Sequence, residues 1–194
     1  MDRAQAHMVE GFTAALLVLG AVLFALQATA VTPLTASTSN ERIENQQRAL
    51  AEDLLATTDA TGALGEAVVF WNTTTEQFDG APDIGFYTSG GPPNRFGAAL
   101  NDTFRANDVA FNVYVTHRGA EGTSSRETMV YMGTPSNHAV VATHAVFLFD
   151  DTPLTAPGEN QTVSAANATF YATDAAPNSP IYTVMEVRLV VWKM

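Results

Sequence analysis

The chain has no cysteine and a single lysine, Lys193. The first absence excludes disulfide staples and thiolate metal sites outright. The second leaves arginine to carry nearly all of the positive charge. Across 194 residues, 20 acids oppose 9 bases, for a net charge of −11. Residues 34–194 hold 18 of those acids and 8 of those bases. Phosphate backbones are gripped by clustered Lys and Arg, so nucleic acid is set aside as a partner. Enzymatic signatures are also lacking: there is no G-x-S-x-G elbow, no phosphate-cradling Gly-rich loop and no H-E-x-x-H pair. The chain therefore reads as non-enzymatic, with no catalytic residue, cofactor or small-molecule substrate nominated.

Metal chemistry fares no better. The histidines are His7, His117, His138 and His144. The last two fall on one predicted strand, about 20 Å apart at the rise of an extended chain, too far to share an ion. Asp150 and Asp151, near Glu159, offer oxygen donors of the kind calcium takes, but read better as a solvated turn. No metal site is assigned.

What is present begins at the N-terminus. Gly11 to Val31 is an almost unbroken apolar run behind a short leader containing Arg3, Gln5 and Glu10. A hydrocarbon core about 30 Å thick needs roughly 20 such residues in a helix. The run has the length to serve as a removed export signal, a permanent anchor or the packing helix of a polymer. An ordinary signal peptide finds support in Ala28-Thr29-Ala30, a small-residue cleavage pattern, and in the length of Phe12 to Leu26. Against it, Arg3 is opposed by Asp2 and Glu10, where export wants a positive leader. Glu10 at the membrane threshold is costly unless paired. Either a neighbouring subunit's new α-amine or the positive end of its own helix supplies a partner. Gly11 with Ala15, and Ala21 with Ala25, set small residues at the spacing that lets helices approach closely.

About 160 residues follow, enough for one core-bearing domain. Pro33 predicts a bend, since its ring and missing N–H interrupt a helix. Thr38 and Glu41 match a capping box, after which Ile43, Leu50 and Leu54, with Ala51 and Leu55 alongside, form the apolar side of an amphipathic helix. Glu66 to Asn72 fits a strand by its β-branched and aromatic residues and a helix by the shared face of Leu64, Val68 and Trp71; the helix is taken as the expectation. A Gly/Pro loop runs to Pro93, where Asn94 caps a short helix carrying Phe96, Leu100 and Phe104. The period then changes to two. Val109 to Thr116, Glu127 to Met132, His138 to Phe149 and Ile181 to Trp192 are predicted strands. Turns are expected at Arg118 to Gly122 and at Gly133, and an edge strand near Ala168 to Ala172 within a long polar connection. The fold class is α+β: an N-terminal hydrophobic and amphipathic helical stalk, then a C-terminal antiparallel β-sheet domain in meander order. Strand alternation implies one packed face and one wet face.

Four Asn-x-Ser/Thr sequons, at Asn72, Asn101, Asn160 and Asn167, are candidate N-glycosylation sites and agree with an exterior location. An acidic, lysine-poor surface holds hydration in concentrated salt, and in this the composition resembles halophilic archaeal proteins as well as ordinary acidic secreted domains.

Arg3-Ala4-Gln5, then Glu10 and an apolar helix, resembles the processing site and assembly helix of archaeal type IV pilin-like proteins. The order of helical stalk and C-terminal sheet is similar too, most of all to haloarchaeal pilin-like proteins encoded with pilus-type assembly systems. The resemblance implies residues 1–4 as a prepilin-type leader, 5–31 as a transmembrane and assembly helix, 32–60 as a kinked amphipathic helix and 61–194 as an exterior domain. It implies cleavage between Ala4 and Gln5 by a prepilin peptidase, and assembly with other pilin-like subunits through Glu10, Gly11 and Phe12. In typical pilins the glutamate is fifth after the cut; Glu10 is sixth counting Gln5 as first. The expected protein is a minor pilin-like subunit in the cell membrane with its C-terminal domain outside. The alternative is an extracellular binding domain held by a plain anchor or exported by an ordinary signal peptide.

Overall fold

The computed structural model describes residues 2–118 and 123–194; within its first helix the side chains of 7–26 and of 41 onward are described. The chain divides into two compact units, Met1–Ile43 and Glu44–Met194.

Helix α1 spans Asp2–Ala60. The helix start expected at Thr38 is not found: the helical span runs through it and through Pro33. Proline removes one rung from the backbone ladder, and the turns on either side keep theirs. In the first unit, the apolar residues from Met8 to Leu26 are exposed.

In the second unit, α1 turns Ala51, Leu54, Leu55 and Thr58 into the core. That i, i+3, i+4, i+7 stripe corrects the expected one, because Ile43 and Leu50 are exposed. Helix α2 (Ala63–Val68) follows a left-handed Gly62. The region expected to be helical through Asn72 instead ends there: β1 (Trp71–Asn72) pairs with β2 (Gln77–Phe78) in a small antiparallel hairpin. The β-branched and aromatic residues at the end of that segment favour the extended pairing. Helix α3 (Arg95–Thr103) is capped as predicted, Asn94 accepting from the Gly97 N–H at 3.0 Å, with Phe96, Leu100 and Phe104 buried.

Four strands form the main sheet: β3 (Val109–Arg118), β4 (Ser124–Tyr131), β5 (Val140–Phe149) and β6 (Ile181–Lys193). Their order, β4-β3-β6-β5 and antiparallel throughout, is not the expected meander. The C-terminal strand inserts between β3 and β5. A central strand is covered on both sides along part of its length, and β6 accordingly buries Leu189, Val190, Val191 and Trp192 in succession. The turn expected from Gly119 to Gly122 lies outside the described residues.

The inner face carries Phe111, Val113, Val115, Met185, Val187 and Leu189 in one large core with α1, α2 and α3. Among the described residues, the outer face is covered at one end. There Met132 and Ala139 pack over Ala110, Val190 and Trp192, and buried Asn112 accepts from the Met132 N–H at 2.8 Å while donating to the Gly133 carbonyl. Residues 150–180 contain no strand near Ala168 to Ala172. That segment satisfies its backbone through turns, such as Phe170 N–H to the Ala166 carbonyl, and buries Leu154, Val163, Ala166 and Phe170.

Candidate functional site

The strongest physical anomaly is His7–Leu26, a helical stretch with mean hydropathy 2.2 and none of it buried. Bare apolar surface of this extent in water is strongly unfavourable, and 20 residues suffice to cross a bilayer. Glu10 lies at its start, with its carboxylate 3.7 Å from His7 Nδ1 one turn earlier. Phe12 is exposed, and nothing lies within 4 Å of where a Cβ on Gly11 or Gly20 would stand. Ala4 and Gln5 fall within the helix, with their side chains outside the described residues.

The four sequons differ in what their side chains do. Asn72 donates to Asp79 at 3.0 Å and accepts from the Thr74 and Thr75 N–H groups in a turn. Asn101 holds the Gly91 N–H at 3.1 Å. Asn167 accepts from the Asp174 N–H and lies 2.8 Å from the Tyr182 hydroxyl. Asn160 is exposed on a loop, and of the four its amide is the least engaged.

No group of three or more His, Asp or Glu side chains able to hold a metal is found among the described residues. Glu159 instead accepts from the Thr73 N–H and hydroxyl, both at 2.8 Å. Of the two histidines expected on one strand, His144 lies in β5 while His138 falls in the turn before it; expected as plain surface residues, both are paired to helix α1, His138 Nδ1 to Glu44 at 2.8 Å and His144 Nε2 to Asp59 at 3.1 Å.

His117 is buried on the inner face, edge-on to Tyr171 with ring centroids 5.5 Å apart. Burial lowers its affinity for a proton, partly opposed by its contact with the Arg118 carbonyl. Tyr171 donates to the Val68 carbonyl at 2.8 Å, and burial, then nearby Glu127, pushes its ionisation well above the usual phenol range. Burial likewise raises the Glu127 carboxyl, a backbone hydrogen bond from Thr128 opposing it. His117 and Tyr171 join Trp71, Phe78 and Phe170 in an aromatic cluster, with half-buried Glu127 close to Tyr171.

The fold and this site define a class: an α+β protein whose N-terminal helix is long and apolar enough to cross a membrane, joined to an antiparallel sheet. The chain belongs to the family of unknown function DUF7288, whose match covers residues 3–191 and so takes in both the apolar stretch and the whole order of elements behind it. No curated protein and no solved structure matches the chain.

Proposed function

We propose that this protein is a non-enzymatic, pilin-like subunit of a type IV pilus-like structure on the cell surface, held in the membrane by residues 5–31 and displaying its sheet-bearing unit outside. One observation carries the reading: a single helix is strongly apolar and unburied over His7–Leu26, yet buries Ala51, Leu54 and Leu55 in a globular core further along. A subunit that polymerises through its helix needs both properties in one element. The bilayer shelters the apolar stretch before assembly, and neighbouring copies shelter it afterwards.

The acidic surface suits an exterior exposed to salt, and Asn160 is the sequon that best fits a glycan acceptor there. Cleavage by a prepilin peptidase between Ala4 and Gln5 leaves Glu10 near the new terminus to pair with an adjacent α-amine. Intact mass or N-terminal sequencing of protein from native cells tests the reading. A start at Gln5 supports it. A start at Val31 assigns an ordinary signal peptide, and a start at Met1 leaves a plain anchor; either sinks the pilin-like role.

A further inference from the structure

Strand register on the outer face of the sheet sets Arg126, Thr116, Glu186 and Ala145 in one row across all four strands, and Thr128, Tyr114, Arg188 and Thr143 in the next. Arg118 continues that face two residues past Thr116. Toward the same end, Phe147 opposes Val184 and Phe149 opposes Ile181, and Phe147 and Val184 are 59% and 44% exposed. Among the described residues, this end lacks the cover that Met132 and Ala139 give the other end. A cavity of about 370 Å³ opens here between Arg118, Thr143, Ala145, Val184 and Glu186. Three of the chain's nine bases thus gather beside an exposed apolar lobe, with Glu186 as the carboxylate among them.

The complement lies on helix α1 of the same chain. Glu44 and Asp59 are taken by His138 and His144. Glu52 and Asp53, on the side turned away from the core, have no partner among the described residues. Leu50 beside them is 43% exposed, and Ala49 and Ala56 flank Asp53 with small side chains. Helix α1 packs on the inner face and the arginines stand on the outer one, so these groups cannot meet within one molecule.

We infer that the outer sheet face docks the α1 segment 44–60 of a second copy, setting Leu50 against Phe147 and Val184 and bringing Asp53 toward Arg118 and Arg126. The contact joins two different surfaces of identical chains. It therefore repeats head to tail, giving an open assembly wherever its rotation does not close a ring. Charges in direct contact resist screening in salt, and the apolar lobe supplies the burial. The inference names the partner within the subunit reading above and rests on it for its setting.

The cysteine-free chain allows a direct test in the full-length protein in its membranes. With Leu50→Cys and Val184→Cys combined, mild oxidation should give a ladder of trimers and larger species, while either change alone leaves monomers. Arg118→Glu in the doubly substituted chain should cut ladder yield about tenfold, the effect of roughly 1.4 kcal/mol at a contact, and Asp53→Arg should restore it. Dimers from Val184→Cys alone would mean that sheet faces pair with each other, and overturn the inference. Monomers throughout would overturn it as well, and with a mature start at Gln5 the subunit reading would still stand. A ladder from a chain that begins at Met1 would uphold the contact while removing the pilin-like role.

Discussion

His144 Nε2 stands 3.1 Å from Asp59 Oδ2, and six residues earlier His138 Nδ1 stands 2.8 Å from Glu44 Oε1. The two acids are separated by about 22 Å along an α-helix. His144 lies within β5, and His138 in the turn just before it. The two pairs mean that the last part of α1 runs alongside β5 in the same direction, pinned once in the turn before the strand and once within it. Between the pins lie Ala51, Leu54 and Leu55, so polar contacts bracket an apolar seam.

Both pairs are partly open to solvent, which limits what each contributes. Replacing His144 and Asp59 by Ala, singly and together, should give a coupling of no more than about 1 kcal/mol in denaturant unfolding. Leu55→Ala, in the seam itself, should cost about 2–5 kcal/mol because it empties a fully buried site. If the His144 pair couples more strongly than the Leu55 truncation costs, the seam is not what holds the helix to the sheet.

This clamp shows how much of the fold was legible in the chain and how much was not. Strand periodicity located all four strands, and Asn94 marked the start of α3, because both signals are local. The position of β6 between β3 and β5 depends on which strands meet in space, and its run of four buried residues was the one clue that it would be central. Ile43 and Leu50 misled because they share a helical repeat with Leu54, yet only the stripe from Ala51 to Thr58 meets the sheet. Arg118, Arg126 and Arg188 sit on three different strands, so no window of sequence brings them together. The apolar run was plain from the sequence as Gly11 to Val31, and the described residues place the span at His7–Leu26. The partners of His138 and His144 needed the register of a helix against a strand.

Buried His117 makes stability depend on pH in a definite direction. Burial holds its folded pKa below the ordinary value of 6.5. The unfolded chain therefore takes up a proton first as pH falls, and each such proton favours unfolding. The contribution is intact above about pH 6.5 and is lost as pH drops below it. His117→Gln should flatten the fall in denaturant midpoint between pH 7.5 and 5.5. An unchanged slope in that variant would assign the acid sensitivity to other groups.

Gly97 and Gly65 should respond oppositely to alanine. A Cβ on Gly97 would collide with the backbone of Pro92 and Gly91, where α3 begins against the preceding loop. Gly97→Ala should cost about 1–3 kcal/mol through forced backbone shifts. Gly65 lies inside α2 with open space at its Cβ. Gly65→Ala should stabilise by about 0.4–1 kcal/mol by restricting the unfolded chain. Thermal melts of the two variants should therefore move in opposite directions, and a loss in both would mean that α2 tolerates no added methyl group.

Under the proposed pilin-like role, Glu10 is the residue whose charge would distinguish a helix that assembles from one that merely spans a bilayer. Glu10→Gln keeps the size and hydrogen-bonding reach of the side chain and removes its charge. A neutral side chain at the membrane threshold is no harder to insert than a carboxylate, so membrane fractionation should show the variant anchored at the normal level. Pairing with a neighbour's α-amine requires the negative charge, so surface assemblies should fall at least about tenfold, the loss expected when one charge-assisted contact worth 1.5–3 kcal/mol is removed. His7→Ala serves as the control, since His7 is the group beside Glu10 within the same chain. If His7→Ala abolishes assembly and Glu10→Gln leaves it intact, the leader works through the histidine, and the carboxylate has no role in joining subunits.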